Sequence, residues 1–228
     1  AGVVLGLSGF AALIHEIVWT RVLSLVFGPT IYAFAATLAC VIAGVALGSG
    51  LGTLTERRMR RPATWLAIVL AVAAITSAWT ASLAGQYLPN RVAAGMATAP
   101  AAFGERLRQN LLMTAALIVP TAACLGAAFP LALMTIPRSN RESSKGFGVV
   151  YAVNTIGAVC GSLAAGFLLI PLLGLQSTLM VVNGCLIGAA TIVCLRGQLS
   201  MADRFVPFAA SAVAALLIVL GPPWDRAL

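Results

Sequence analysis

Two adjacent titratable residues, His15 and Glu16, lie in the middle of a long apolar segment near the start of the chain. Trp19, Thr20 and Arg21 follow within about a turn and a half if the segment is helical. A charged side chain at the centre of a bilayer costs at least about 2.5 to 3.5 kcal/mol, so Glu16 is expected to be protonated, paired or next to a wet cavity. Its carboxyl could bind a cationic substrate or relay protons, with His15 titrating near neutral pH beside it.

A structural role for these residues is the alternative. Glu16 could pair with Arg21 or Arg91 and fasten its helix to the bundle, although about 140° of helix rotation separates Glu16 from Arg21. The lone imidazole is better explained by a hydrogen bond to a backbone carbonyl. Two amides in other apolar segments, Asn154 and Asn183, are expected to form hydrogen bonds between helices.

Long apolar runs separated by short basic connectors make up most of the sequence. Hydrophobic residues form 61% of the 228 residues, charged residues form 9%, and the mean hydropathy is +1.01, whereas soluble domains contain about 25% charged residues. Runs of about 20 apolar residues suit transmembrane helices, and the alternation over about 10 residues that barrel strands require is missing. The sequence therefore predicts an all-α, polytopic transmembrane bundle of about seven spans. We place them near 3 to 27, 31 to 54, 63 to 84, 110 to 136, 147 to 170, 174 to 195 and 205 to 221.

The net charge of +8 lies mainly in the connectors, which argues against a nucleic-acid partner. Three connectors hold most of the cations: Arg57, Arg58, Arg60 and Arg61; Arg138, Arg141 and Lys145; Arg196 and Arg204. By the positive-inside rule these connectors face the cytoplasm. The prediction is a multi-pass protein of the bacterial inner membrane with its N-terminus inside.

Glycines at four-residue spacing mark two of the predicted spans. They are Gly44, Gly48 and Gly52 in the second span and Gly157 and Gly161 in the fifth. Such stripes let helix backbones approach closely, which is a more common use than lining a substrate path. The shared pattern also suggests two related three-helix units. Stripes left exposed would be covered in a complex, so we expect a homo-oligomer or a larger assembly within the lipid bilayer.

Prolines and a long connector are expected to interrupt the spans. Pro120 and Pro130 should kink or break the fourth helix, and Pro171 should close the fifth. The connector from 85 to 109 is the only long one and is predicted to form an interfacial or re-entrant segment on the outer side. The five cysteines fall inside spans and are interpreted as packing residues. No nucleotide loop, metal motif or catalytic triad is present, so no metal or cofactor is predicted.

Short motifs along most of the chain follow a recognisable order. They are Ser8-Gly9-Phe10 with Glu16, Trp19 and Arg21; Phe27-Gly28 through Tyr32; Gly44 to Gly52; Gly126 to Leu131; Tyr151 to Ala158; Pro171 to Gly174; and Pro222 to Asp225. In this order they resemble the membrane-integrated spermidine synthases, often described as fusions of a major facilitator-type domain with a spermidine synthase. The connector from Gly52 to Arg61 also resembles the basic loop of facilitator transporters, which braces neighbouring helices, although a solvated positive-inside loop explains it too.

The resemblance implies a facilitator-like half as the membrane domain, over residues 1–221. Residues 222–228 would begin a linker to a C-terminal aminopropyltransferase domain, which uses decarboxylated S-adenosylmethionine to lengthen putrescine. The motifs of that domain have no counterpart in these residues, so no catalytic residue is carried over and enzyme activity stays undecided. His15 also departs from the resemblance, because an aromatic residue is expected at its position.

The role implied by the resemblance is a membrane anchor or scaffold for a polyamine aminopropyltransferase. One alternative is a transporter of polyamines or other organic cations with Glu16 as the cation site. Another is an accessory subunit of a larger membrane complex. Seven spans place Trp224 outside, whereas cytosolic nucleotide substrates require the enzyme domain inside, so either the count differs by one or the appended domain is external.

Overall fold

The computed structural model describes residues 2–54, 61–97, 103–136, 144–196 and 201–220. Within these ranges the chain is helical and contains no β-strand, which confirms the predicted all-α fold. The helices are α1 Gly2–Phe27, α2 Ile31–Leu54, α3 Pro62–Ala97, α4 Phe103–Met134, α5 Ser144–Ala164, α6 Ile170–Arg196 and α7 Met201–Leu220. A single π-helical turn, Ala165–Leu169, joins α5 to α6.

Five segments in the described ranges are long and apolar enough to cross a membrane, the pattern of an integral membrane protein. They are Gly2–Phe27, Ile31–Leu54, Pro62–Leu88, Gly104–Met134 and Gly146–Arg196. The last contains 51 residues, which corresponds to roughly 75 Å of helix and exceeds twice the hydrocarbon thickness. It therefore cannot be one straight crossing. A shorter apolar helix, Arg204–Leu217, lies within α7.

Two helices extend beyond the spans predicted from hydropathy. α3 continues to Ala97 and α4 begins at Phe103, so most of the predicted connector from 85 to 109 is helix rather than a separate interfacial or re-entrant segment. Residues 98–102 lie outside the described ranges. Polar pairs occupy these extensions: the Asn90 side chain donates to the Gln86 carbonyl at 3.0 Å. The spans predicted from hydropathy are shorter than these helices because a helix can continue beyond the hydrocarbon layer, where its residues are polar.

Pro120 and Pro130 do not break their helix, whereas Pro171 lies three residues before a break. α4 runs as one continuous helix through Pro120 and Pro130. The predicted boundary between the fifth and sixth spans, at residues 170 to 174, coincides with the observed break. The helical path continues past Pro171 and breaks at Gly174, which has φ 82° and ψ 174°. Only glycine adopts that conformation without strain. The π turn Ala165–Leu169 just before Pro171 widens the helix where the proline ring would otherwise press on a carbonyl.

Glycines bring α2 and α4 into backbone contact. A Cβ on Gly44 would lie 2.6 Å from Ala122 Cβ, and one on Gly52 would lie 2.8 Å from Pro130 Cγ. Gly48, between them, lies directly against the α4 backbone. The contacts advance in the same direction along both helices, so α2 and α4 run parallel.

Glycines also join α1 to α5, the other most extensive helix pair. Gly157 lies against the backbone of Gly6, and Gly161 lies against that of Phe10. The stripes on the second and fifth helices are thus filled from within the chain. Among the described residues these stripes are therefore covered within the chain and do not by themselves require an oligomer, which stays a prediction.

The contacts of these two helix pairs correspond residue by residue. One constant shift in residue number relates α1 to α4, and a second relates α2 to α5. The corresponding contacts are Gly6–Gly157 with Ala123–Gly48, Gly9–Asn154 with Gly126–Val45, and Phe10–Gly161 with Ala127–Gly52. α1–α3 and α4–α6 are therefore two three-helix units with equivalent packing.

The most extensive packing joins one unit to the other. α1 with α5, α2 with α4, α3 with α6 and α3 with α4 are the four largest helix pairs among α1 to α6, and all of them cross between units. Contacts between α1 and α2, within one unit, are fewer. The two units are interlocked into one body, and α7 packs outside them on α3 and α6.

Side-chain burial agrees with a lipid environment. Large side chains fill the interior, among them Trp19, Leu70, Ile118, Leu131 and Leu186. Equally apolar side chains cover the outer faces of α2, α5 and α7, including Ile42, Leu47, Ile156, Leu163 and Phe205. In lipid these outer side chains need no protein partner, because the acyl chains are as apolar as they are.

Candidate functional site

α1 buries His15 against the next turn of the same helix. The indole Nε1–H of Trp19 donates to His15 Nε2 at 2.9 Å, and the rings meet edge to face with centroids 6.0 Å apart. His15 is 2% exposed and Trp19 is fully buried. An Nε2 that accepts a hydrogen bond carries no proton, so the neutral imidazole holds its proton on Nδ1. The partner is a side chain four residues away rather than the expected backbone carbonyl.

Glu16 lies beside this pair but points out of it. Its side chain is half-buried and forms no hydrogen bond or ion pair with any residue that the structure describes. Arg21 is exposed on another side of α1, and no ion pair joins it to Glu16. The side chain of Arg91 lies outside the described ones. These two adjacent residues therefore differ in their contacts. His15 is hydrogen-bonded to Trp19, and Glu16 has no partner within the described part of the chain.

The two amides predicted to join helices occupy different environments. Asn154 on α5 lies against Gly9 of α1, and its Oδ1 would be 2.9 Å from a Cβ on that glycine. Asn183 on α6 is 2% exposed. Its Oδ1 accepts no hydrogen bond from any described residue. A direct hydrogen bond between helices occurs elsewhere, where the Thr121 hydroxyl donates to that of Thr76 at 3.1 Å.

Part of the predicted basic loop precedes α3. Arg61 is exposed, and its carbonyl accepts the backbone N–H of Trp65 at 3.3 Å at the start of that helix. Arg57, Arg58 and Arg60 lie outside the described residues.

A pocket of about 360 Å³ opens at the corner between α1 and α2. It is lined by Thr20, Ser24, Pro29, Thr30, Ile31 and Phe34. The corner turns at Gly28, which has φ 82°, and the Thr30 hydroxyl caps α2 by accepting the Ala33 N–H at 3.2 Å. The Gly-Pro-Thr sequence at this corner, which belongs to one of the motifs of the family resemblance, contains a helix stop followed by a cap residue, and these signals predict a turn there.

Sequence reasoning also missed the role of Trp19. The signal was available, because a histidine and a tryptophan four residues apart share a helix face. No three His, Cys, Asp or Glu side chains in the described ranges come together as a metal site, and all five cysteines are unpaired. The arrangement on α1 is therefore suited to binding a cation and to packing. No family model, curated protein or solved structure matches the chain.

Proposed function

We propose that this chain is a membrane anchor or scaffold domain, which holds a catalytic partner at the bilayer as in the spermidine synthase-like proteins that its motifs resemble. The observation that carries the proposal is the interlocking of the two three-helix units, whose glycine contacts bring backbones of different units together. An anchor needs such a fixed body, and nothing in its role requires the units to move.

Transport by rocking would require the opposite arrangement. Alternating access moves one repeat or bundle against another around a fixed site. In this chain such a motion would separate Gly48 from the α4 backbone and Gly157 from the α1 backbone at the same time. The six helices therefore support a static platform better than a transporter acting alone.

We further propose seven crossings in the form of a facilitator-like half. The segment Gly146–Arg196 is long enough for two crossings, and its break at Gly174 supplies the turn between them. Three crossings per unit would invert the second unit relative to the first, as in transporters built from inverted repeats. α7 would be the seventh crossing, and the basic connectors would place the N-terminus in the cytoplasm of a bacterial cell.

Capture of the chain from native membranes tests the anchor role. Mild detergent extracts would be assayed for transfer of the aminopropyl group from decarboxylated S-adenosylmethionine to putrescine. Transferase activity should elute with the captured chain, and it should be equal for the native chain and for Glu16→Gln. Capture of the intact protein without that activity would contradict the proposal, and a different enzyme present at fixed stoichiometry would indicate an accessory subunit.

The carboxyl of Glu16, which has no partner among the described residues, favours a second candidate, transport of polyamines or other organic cations. An intramembrane acid without a partner is a functional candidate by default. Uptake of radiolabelled spermidine into proteoliposomes tests it. Transport predicts uptake by the native chain that Glu16→Gln abolishes, whereas the anchor role predicts equal, background uptake by both.

A further inference from the structure

The pocket at the α1–α2 corner is mainly apolar. Pro29, Ile31 and Phe34 supply apolar surface. Two of the three hydroxyls are engaged locally, because that of Ser24 donates to the Arg21 carbonyl at 2.7 Å and that of Thr30 caps α2. The hydroxyl of Thr20 forms no hydrogen bond with any residue that the structure describes. The pocket thus offers an apolar surface with one available polar group on α1.

Glu16 precedes that polar group by one turn of α1. Residues four apart are neighbours on a helix face, and their rise along the axis is about 6 Å. The carboxyl has no partner in the described residues, and a half-buried carboxylate in an apolar environment gains strongly from a cation. Arg21 is exposed to another side, so an external cation meets no competitor from α1.

We propose that Glu16 and the α1–α2 corner pocket form a binding site for an organic monoammonium ligand with an apolar stem. The ammonium contacts the Glu16 carboxylate, and the Thr20 hydroxyl accepts a second hydrogen bond from it. The stem extends about one helical turn into the pocket and packs on Phe34 and Ile31. The site is independent of the anchor role and requires no transport.

The composition of the pocket selects among cations. Ca²⁺ and Mg²⁺ take about six or more oxygen ligands, and this corner supplies one carboxyl. A polyamine would place its second ammonium among Pro29, Ile31 and Phe34, where no acidic side chain lines the pocket to pair with it. A ligand with a single ammonium on a short aryl-alkyl chain needs only one carboxylate and places no second charge in the pocket, because its ring occupies the apolar surface.

Equilibrium binding of radiolabelled 3-phenylpropylamine to the full chain in lipid nanodiscs tests the site, with empty nanodiscs subtracted. Saturable binding is expected, and Glu16→Gln should weaken it by about tenfold or more, since a charge-assisted contact is lost. Phe34→Ala should weaken it by roughly threefold or more, because stem contacts are removed. Phe34 is already 56% exposed, so this variant leaves the fold intact.

A matched control and two competitors complete the experiment. Thr155→Val on the exposed face of α5 should bind the amine as the native chain does. Neither 3-phenylpropanol nor 1,4-diaminobutane should displace the amine at equal concentration. Absence of saturable binding, equal binding by Glu16→Gln, or displacement by the alcohol would overturn the proposal. The transferase and uptake assays can fail while this binding persists, so the proposals are separable.

Discussion

His15 and Glu16 are adjacent in sequence, yet α1 gives them opposite environments. The imidazole of His15 is buried and accepts the indole N–H of Trp19, whereas the Glu16 carboxyl is half-buried and has no partner among the residues that the structure describes. Neighbouring residues on a helix differ by about 100° in direction, so one can enter the core while the other remains at its edge. The proposed chemistry therefore belongs to Glu16 alone, and His15 contributes to packing.

The His15–Trp19 hydrogen bond should contribute to stability. Trp19→Phe removes the donor and leaves a buried acceptor unsatisfied, which should lower the free energy of unfolding by about 1 to 3 kcal/mol. The measurement is an unfolding titration with sodium dodecyl sulfate in mixed micelles. Trp79→Phe is the control, because Trp79 is 51% exposed and should change stability by less than about 0.5 kcal/mol.

A double substitution separates the hydrogen bond from the loss of volume. In a His15→Leu background the acceptor is gone, so Trp19→Phe should cost less than it does in the native chain. The same cost in both backgrounds would mean that Trp19 acts through packing alone.

The sequence identified the acid and the histidine but could not assign their partners. Mid-span position alone indicated that Glu16 is costly to bury. The partner of His15 required a helix-face comparison, and the isolation of Glu16 required the arrangement of neighbouring helices. The corner pocket depends on how Phe34 and Ser24 approach each other in space, which spacing along the chain does not determine.

At the scale of the helices, the contacts of individual glycines decide which substitutions the fold tolerates. Gly48 and Gly50 lie two residues apart on α2, but only Gly48 meets another backbone, whereas a Cβ on Gly50 would have nothing within 4 Å. Alanine substituted separately at each position therefore tests the effect of packing, because both positions lie in the same helix.

The two alanine substitutions should affect the free energy of unfolding differently. Gly48→Ala should destabilise the protein by about 1 to 3 kcal/mol through overpacking. Gly50→Ala should be neutral or stabilise by up to about 1 kcal/mol, because alanine favours helix. Gly157→Ala, the counterpart of Gly48 in the second unit, should cost about as much as Gly48→Ala. Equal effects at Gly48 and Gly50, measured by the same unfolding titration, would contradict the contact assignment.

Hydropathy predicted the existence of the helices and the ends of α1 and α2, but it did not predict how far α3 and α4 extend. The packing of α2 on α4 at Gly44, Gly48 and Gly52 followed from their spacing only as a general stripe, and the spacing did not identify the partner helix. A break at Pro120 or Pro130 was a wrong prediction, because α4 continues through both residues. The boundary between the fifth and sixth spans was predicted to within a few residues, and the break itself falls at Gly174. Polar residues near Gln86 hid the continuation of α3.

For the whole molecule, the distribution of charge predicts the orientation in the membrane. In a cysteine-free background, Arg58→Cys and Arg141→Cys should react with an impermeant maleimide only after the cells are permeabilised. Arg108→Cys, near the start of α4, should react in intact cells. Labelling of Arg58→Cys in intact cells, or protection of Arg108→Cys, would contradict the proposed topology.

The central claim is that the two three-helix units form one rigid body. Electron–electron distance measurement in nanodiscs tests it directly, with spin labels at Leu47 on α2 and Leu163 on α5, both exposed and in different units. A single rigid body gives one narrow distance distribution that neither spermidine nor 3-phenylpropylamine changes. Two populations whose proportions shift with either amine would show that the units move against each other and would contradict a rigid body.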